Sequence, residues 1–251
     1  MSKSLPVDLA RLRQQIERLE GSRTAAGVLP FGIAAIDSRL PGGGLALGAL
    51  HEIAGYGEGV VDGAAAALFA AGIAARTEGP VLWCAADSDV FAPGLAQAGL
   101  AGDRVIHVAA RDDTSVLAVC EEALRHGGLG AVIGEVSRLS LTASRRLQLA
   151  AEDRRTLALA VRRWKRQRDA AEFGLPTAVV TRWRVAGLPS APLPVPGIGR
   201  ARWRLDLVRC KGGDMAEFHV EACDGEGRLA LAAALADRPA AASDDRQRAA
   251  S

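Results

Sequence analysis

The stretch GYGEGVVDG, residues 55–63, holds the residue types that could cradle a phosphate. It sits between a short apolar run, 49–54, and a long alanine-rich one. A glycine-rich turn from strand to helix lets consecutive backbone N–H groups converge on phosphate oxygens. A triphosphate site also takes a lysine against the β/γ charge and a Ser or Thr hydroxyl for magnesium. Counted from Gly55, the second glycine falls on Val60, the lysine on Val61 and the hydroxyl on Asp62. In the register that keeps Gly59, the last two places fall on Val60 and Val61. Both registers lack the cation. Asp62 suits the start of a helix as an N-cap, but it repels a phosphate. Gly55, Gly57 and Gly59 therefore read as the turn of a degenerate phosphate loop. No cofactor is expected, and ATP with magnesium is not.

Other chemistry-bearing residues are scattered. Asp87 follows an apolar run at 81–85 and could orient a water, and Glu135 follows another at 129–133. Two acids without a lysine make a poor triphosphate pocket. Arg76 and Arg111 are the nearest cations in sequence, and nothing in the chain places them there. His51, His107, His126 and His219 lie far apart, with no Ser or Cys nucleophile in a motif beside them, and read as structural. Cys84, Cys120, Cys210 and Cys223 form no CxxC pair and no zinc spacing, so free thiols in a reducing compartment are expected.

The arginines carry a stronger signal. Residues 31–135 hold thirteen acidic against five basic residues, whereas 136–211 hold seventeen basic against five acidic. A segregated basic half suits a polyanion or an acidic partner. With three lysines in the whole chain, an arginine-rich composition accounts for part of it. Arg182, Arg184, Arg200, Arg202 and Arg204 flank a proline-rich loop at 186–199 and form the candidate DNA-contacting set. Trp183 and Trp203 alternate with them, so one face of each strand is core and the other solvated. VRRWKRQRD, 161–169, adds a second basic cluster.

The elements that must position these residues follow from hydrophobic periodicity. Leu5, Leu9, Leu12, Ile16 and Leu19 make a heptad-like stripe on one short helix, ended by Gly21 and a linker. Strands are expected at 49–54, 81–85, 104–108, 129–133 and 157–161. Helices are expected at 60–76, 91–100, 114–126 and 141–153, with Asp113 or Thr114 capping the third. Strands alternating with helices predict a mostly parallel sheet covered on both faces. After Arg162 the alternation in TAVVTRWRVAGL, ARWRLDLVRC and AEFHVEACDGEGRLAL predicts antiparallel strands, with turns at 212–214 and 224–225. The expected layout is an N-terminal helix and linker (1–27), an α/β domain (28–236) and a disordered tail (237–251). No secretory signal is legible, and 63–75 is too short to span a bilayer, so a cytoplasmic protein is expected.

LPFGIAAIDSRLPGGGLALGALHEIAG resembles the segment leading into the phosphate loop of the RecA core, with Gly42, Gly43, Gly44, Gly48 and Glu52 in matching places. The likeness extends to about Cys223. LPFGIAAID, LPGGGLALGALHE, LTASRRLQLAAE, PTAVVTRWRV and ARWRLDLVRCKGG resemble the ImuA family more closely still. The resemblance implies a RecA-like α/β fold, with Asp87 and Glu135 at the acidic positions and the proline-rich loop turned toward DNA. It implies an accessory role in damage-induced (SOS) mutagenic translesion synthesis, at the nucleoid during damage. The partners it implies are an ImuB-like inactive Y-family polymerase protein and, through the complex, an error-prone C-family polymerase. DNA, RecA and self-association are further partners to test. The reading is a non-catalytic scaffold. A DNA-stimulated ATPase and a SulA-like inhibitor of cell division are the alternatives.

Overall fold

The computed structural model describes residues 27–57, 60–87, 90–152, 154–164, 170–193 and 196–231. The stripe at 5–19, residues 165–169 of the basic cluster at 161–169 and the tail at 237–251 lie outside the described residues.

The chain begins with a small hairpin, β1 (Val28–Leu29) and β2 (Leu45–Ala46), around a short helix, α1 (Ala34–Asp37). Asp37 closes this entry by accepting the N–H groups of Phe31 and Gly32. A β-carbon on Gly44 would lie 2.7 Å from Leu29 backbone, so only glycine lets the hairpin close. Strand and helix then alternate: β3 (Leu50–Gly55), α2 (Val60–Ala75), β4 (Val81–Ala85), α3 (Ala92–Gln97), β5 (Val105–Ala109), α4 (Asp113–His126), β6 (Ala131–Val136), α5 (Leu141–Glu152) and β7 (Leu157–Arg162). Four strands complete the chain: β8 (Thr181–Leu188), β9 (Arg202–Cys210), β10 (Ala216–Glu221) and β11 (Ala230–Leu231).

All but the first two strands join one nine-stranded sheet, ordered β11-β10-β9-β8-β3-β7-β6-β4-β5. It is parallel from β8 to β5 and antiparallel from β8 to β11. This is the expected α/β class. β3 is central, between β7 and β8, and every residue of β3, β4, β6 and β7 is buried. Such strands read as continuous apolar runs because helices cover both faces.

Each face has its own core. On one, α2 lays an alanine surface on the sheet, and small side chains let the backbones approach. Phe31, Phe69, Trp183, Trp203 and Phe218 fill that layer with ring contacts of 5.6–6.4 Å between centroids. On the other face α4 and α5 cover Leu50, Leu82, Val132 and Ala158. Both tryptophans that alternate with arginines are core.

Two boundaries differ from expectation. β6 runs on to Val136, so Glu135 lies within the strand rather than after it. The cap of α4 is Asp112, whose side chain accepts the Ser115 N–H at 2.8 Å. Asp113 is not free to cap: its carboxylate accepts Ser137 N–H, Ser137 Oγ–H and Arg138 N–H and holds the loop after β6. No described helix is long and apolar enough to cross a membrane.

Candidate functional site

The loop after β3 lies at the carboxyl end of the parallel strands, the usual side for ligands in such sheets. β3 ends in Gly55 and α2 begins at Val60. A β-carbon on Gly55 would meet Asp62 backbone at 2.8 Å, so that glycine is needed for the first turn of α2 to pack on its own strand. Gly57 is described and Gly59 is not. Val60 and Val61 are 81% and 71% exposed, so apolar side chains face solvent where a phosphate-binding cation would stand. Asp62 is not the N-cap; it lies in the first turn of α2 and reaches back. Its Oδ2 accepts Gly57 N–H at 3.1 Å, and its Oδ1 accepts Gly187 N–H, at the end of β8, at 2.9 Å. The chain's own carboxylate thus takes up a loop N–H of the kind that would otherwise meet an external anion.

Neither sequence-nearest cation serves the loop. Arg76 lies beyond the far end of α2, about 24 Å away along the helix axis, donating to Pro30 O and stacking on Phe31. Arg111 is exposed and pairs with Asp112 at 3.2 Å. Asp87 is exposed, two residues beyond β4. Glu135 is buried on the α2 side; it accepts Trp83 Nε1–H at 2.6 Å and pairs with Arg163 at 3.1 Å. Among the described residues, no group of three or more His, Cys, Asp or Glu side chains could hold a metal.

The five candidate arginines separate into distinct environments. Arg182 is buried: its Nε contacts Glu52 Oε2 at 2.6 Å, and its Nη2 donates to Leu175 O and Thr177 Oγ1. A polyanion cannot reach it there, which corrects its place in the DNA-contacting set. Arg200 is a fastener, pairing with Glu221 at 3.3 Å and donating to the Ala222 and Arg228 carbonyls. Arg184, Arg202 and Arg204 do share one face of β8 and β9. Arg184 lies opposite Asp206 and Arg204 opposite Ala186.

The same face joins the loop. Arg204 stacks over the Tyr56 ring at 4.1 Å and Arg184 at 5.4 Å, while Arg184 Nη1 donates to Tyr56 O at 2.8 Å. Arg184 also stacks on Phe173 at 4.7 Å. Tyr56 had no role in the sequence reading, because a tyrosine inside a glycine loop carries no motif. The face is not purely basic. β10 sets Glu217 opposite Asp206, His219 opposite Arg204 and Glu221 opposite Arg202. Burial raises the Asp206 carboxyl above its ordinary range, and Arg204 pulls it back down. Arg204 Nε and Asp206 Oδ1 are 3.3 Å apart, near enough to attract but not aligned as a hydrogen bond. The arginine excess of residues 136–211 is thus partly offset by acids of a strand that follows it.

Beneath this face lies a buried ion triad. Glu52, wholly buried in β3, takes Arg162 on Oε1 and Arg182 on Oε2, each at 2.6 Å. Arg162 also donates to Ser137 O at 2.8 Å. The readable signal was Glu52 itself, one acid inside an apolar strand, where burial demands a counter-charge. On the opposite face His51 Nε2 bonds to Ala46 O at 2.9 Å and Nδ1 to Thr181 Oγ1 at 2.7 Å. A carbonyl only accepts, so Nε2 carries the proton and Nδ1 accepts from Thr181. Burial lowers the His51 pKa to about 4, which fits a neutral structural ring. The four cysteines are free, and burial pushes the Cys223 thiol up to about 12.

Comparison with known proteins decides the family. No family model matches the chain. It is 39% identical over 237 residues to Protein ImuA of Caulobacter vibrioides strain NA1000 / CB15N, covering 89% of this chain and 96% of that protein. The chain belongs to the ImuA family. Protein ImuA of strain ATCC 19089 / CIP 103742 / CB 15 matches with the same identity and coverage. Among solved structures, the RadB recombinase superposes with a TM-score of 0.54 at 16% identity, covering 80% of this chain and 98% of that one. This ImuA-family chain therefore has a RecA-like fold, with β3 leading into its loop and Glu135 on a strand separated from β3 by β7 alone.

Proposed function

We propose that this ImuA-family chain is a non-catalytic, RecA-like adaptor in damage-induced mutagenic translesion synthesis. In this reading it binds an ImuB-like polymerase-related partner, contacts an error-prone C-family polymerase through the complex, and meets DNA. One observation carries the non-catalytic part: the loop that would hold a nucleotide presents Val60 and Val61 and folds Asp62 onto Gly57. A triphosphate placed there meets the Asp62 carboxylate, and none of the described residues of the loop is a lysine. Family membership supports the pathway. For direct DNA contact the support is the Arg184–Arg202–Arg204 face with Tyr56, a ring available for stacking beside guanidinium groups.

Thermal unfolding with and without MgATP tests the loop. Something that binds only the native state raises its stability by mass action, so the expected result is an unchanged midpoint and no phosphate release, with or without DNA. ATP turnover abolished by Asp87→Ala would overturn the reading. Co-purification with the ImuB-like protein, and loss of damage-induced mutagenesis on deletion of the gene, test the adaptor role separately.

A further inference from the structure

α2 and α3 carry one charged residue between them, Asp62, and its carboxylate is turned to Gly57 and Gly187. On α4 and α5, by contrast, exposed positions hold Glu122, Arg125, Arg145, Arg146 and Glu152. Val61, Ala64 and Leu68 recur at helical spacing on one side of α2; the first two are exposed and Leu68 is half-buried. Phe91, just before α3, is 70% exposed. The two helices join their apolar surfaces there: a β-carbon on Gly94 would lie 3.7 Å from Phe91 Cδ1 and 3.8 Å from Leu68 Cδ2. Along α3 the exposed side chains are Ala92, Pro93, Ala96 and Gln97. A continuous uncharged face with an aromatic ring standing out of it has the composition of an interface centre.

The surroundings select the occupant. Both helices lie within residues 31–135, which hold thirteen acidic against five basic residues. Asp62, in the first turn of α2, and Asp87, two residues beyond β4, stand at the carboxyl edge of the face. A polyanion is repelled there. Pairing with a second copy about a two-fold axis would bring two acidic surrounds together. A partner protein that presents apolar side chains with basic residues beside them matches both the face and its charge. The Arg184–Arg202–Arg204 face lies on the other side of the sheet, since Trp183, Val185, Trp203 and Leu205, which alternate with those arginines, pack toward α2.

Resting on the adaptor reading above, we propose that the ImuB-like partner docks on the α2–α3 face through a segment with apolar anchors and basic flanks, with Phe91 as the central contact. The docked partner leaves the arginine face, across the sheet, to DNA.

Replacing Phe91 with the photo-crosslinker p-benzoylphenylalanine in the full chain, with the ImuB-like protein present, tests this, and titration of variants measures the contact. The expected product is a crosslink to a partner segment rich in apolar and basic residues. Phe91→Ala should weaken the complex by about thirtyfold, the scale of a central aromatic anchor, at an unchanged thermal midpoint. Leu149→Ala, at a side chain 63% exposed on α5, should leave the affinity as it was. Ala96→Lys should weaken the complex more than Ala96→Glu, and the reverse order would overturn the basic flank. Wild-type affinity in Phe91→Ala overturns the docking face while the adaptor reading stands. No complex with the wild-type chain overturns both. Crosslinks confined to a second copy, or to the chain's own residues, assign the face to that occupant and overturn the proposal.

Discussion

At the residue scale, His51 shows how burial converts a reactive side chain into a structural one. Both ring nitrogens are engaged, by Ala46 O and Thr181 Oγ1, and Thr181 Oγ1 in turn accepts Trp183 Nε1–H at 2.9 Å. The ring has no spare nitrogen for catalysis. Its pKa falls from 6.5 to about 4 on folding. The unfolded chain therefore takes up the proton first as pH drops, so stability from this site is full above pH 6.5 and is lost as pH falls toward 4. The loss amounts to about 3 kcal/mol, at roughly 1.4 kcal/mol per unit. Urea unfolding of the wild type and of His51→Gln across that window measures it. The wild type is expected to lose more stability than the variant, and parallel curves would show that the ring does not titrate with folding.

At the scale of elements, the Glu52–Arg162–Arg182 triad ties β3 to β7 and β8 just below the loop. Such pairs seldom add net stability over apolar packing, yet breaking one leaves buried charge without compensation. Glu52→Gln strands two guanidinium groups and is expected to cost about 3–5 kcal/mol, read as a lower urea midpoint at unchanged slope. A loss near zero would mean that water reaches the arginines. The phosphate-type loop shows the complementary effect. Asp62 staples α2 to Gly57 and to Gly187 of β8, so the element is held together by a carboxylate that accepts backbone N–H groups on both sides. Register decides the rest: in β8, Trp183 and Val185 go inward while Arg182 and Arg184 go to the other face, where one meets Glu52 and the other Tyr56.

At the scale of the whole molecule, the parallel and antiparallel parts of the sheet are joined by one aromatic layer under α2. Trp183 is at its centre, touching Phe31, Phe69 and Phe218. Truncating a buried aromatic removes both its transfer energy and its packing. Trp183→Ala is expected to lower stability by about 3–5 kcal/mol, with circular dichroism and fluorescence transitions shifting together. Separate transitions would show that β9–β11 unfold independently of the parallel core. The sequence by itself determined the α/β order, because each apolar run and its period of 2 or 3.6 is a local property. It also determined the loss of the lysine and hydroxyl from the loop, since identity at a motif position needs no coordinates. Likewise, alternation alone marked Trp183 and Trp203 as core. Only the tertiary structure decided what the charges do. Arg182 and Arg204 look alike along the chain, but one is neutralised by an acid 130 residues away and the other stacks on the tyrosine of the loop. Side-chain electrostatics depend on distance in space and on burial, and a strand pairing made across half the chain sets both.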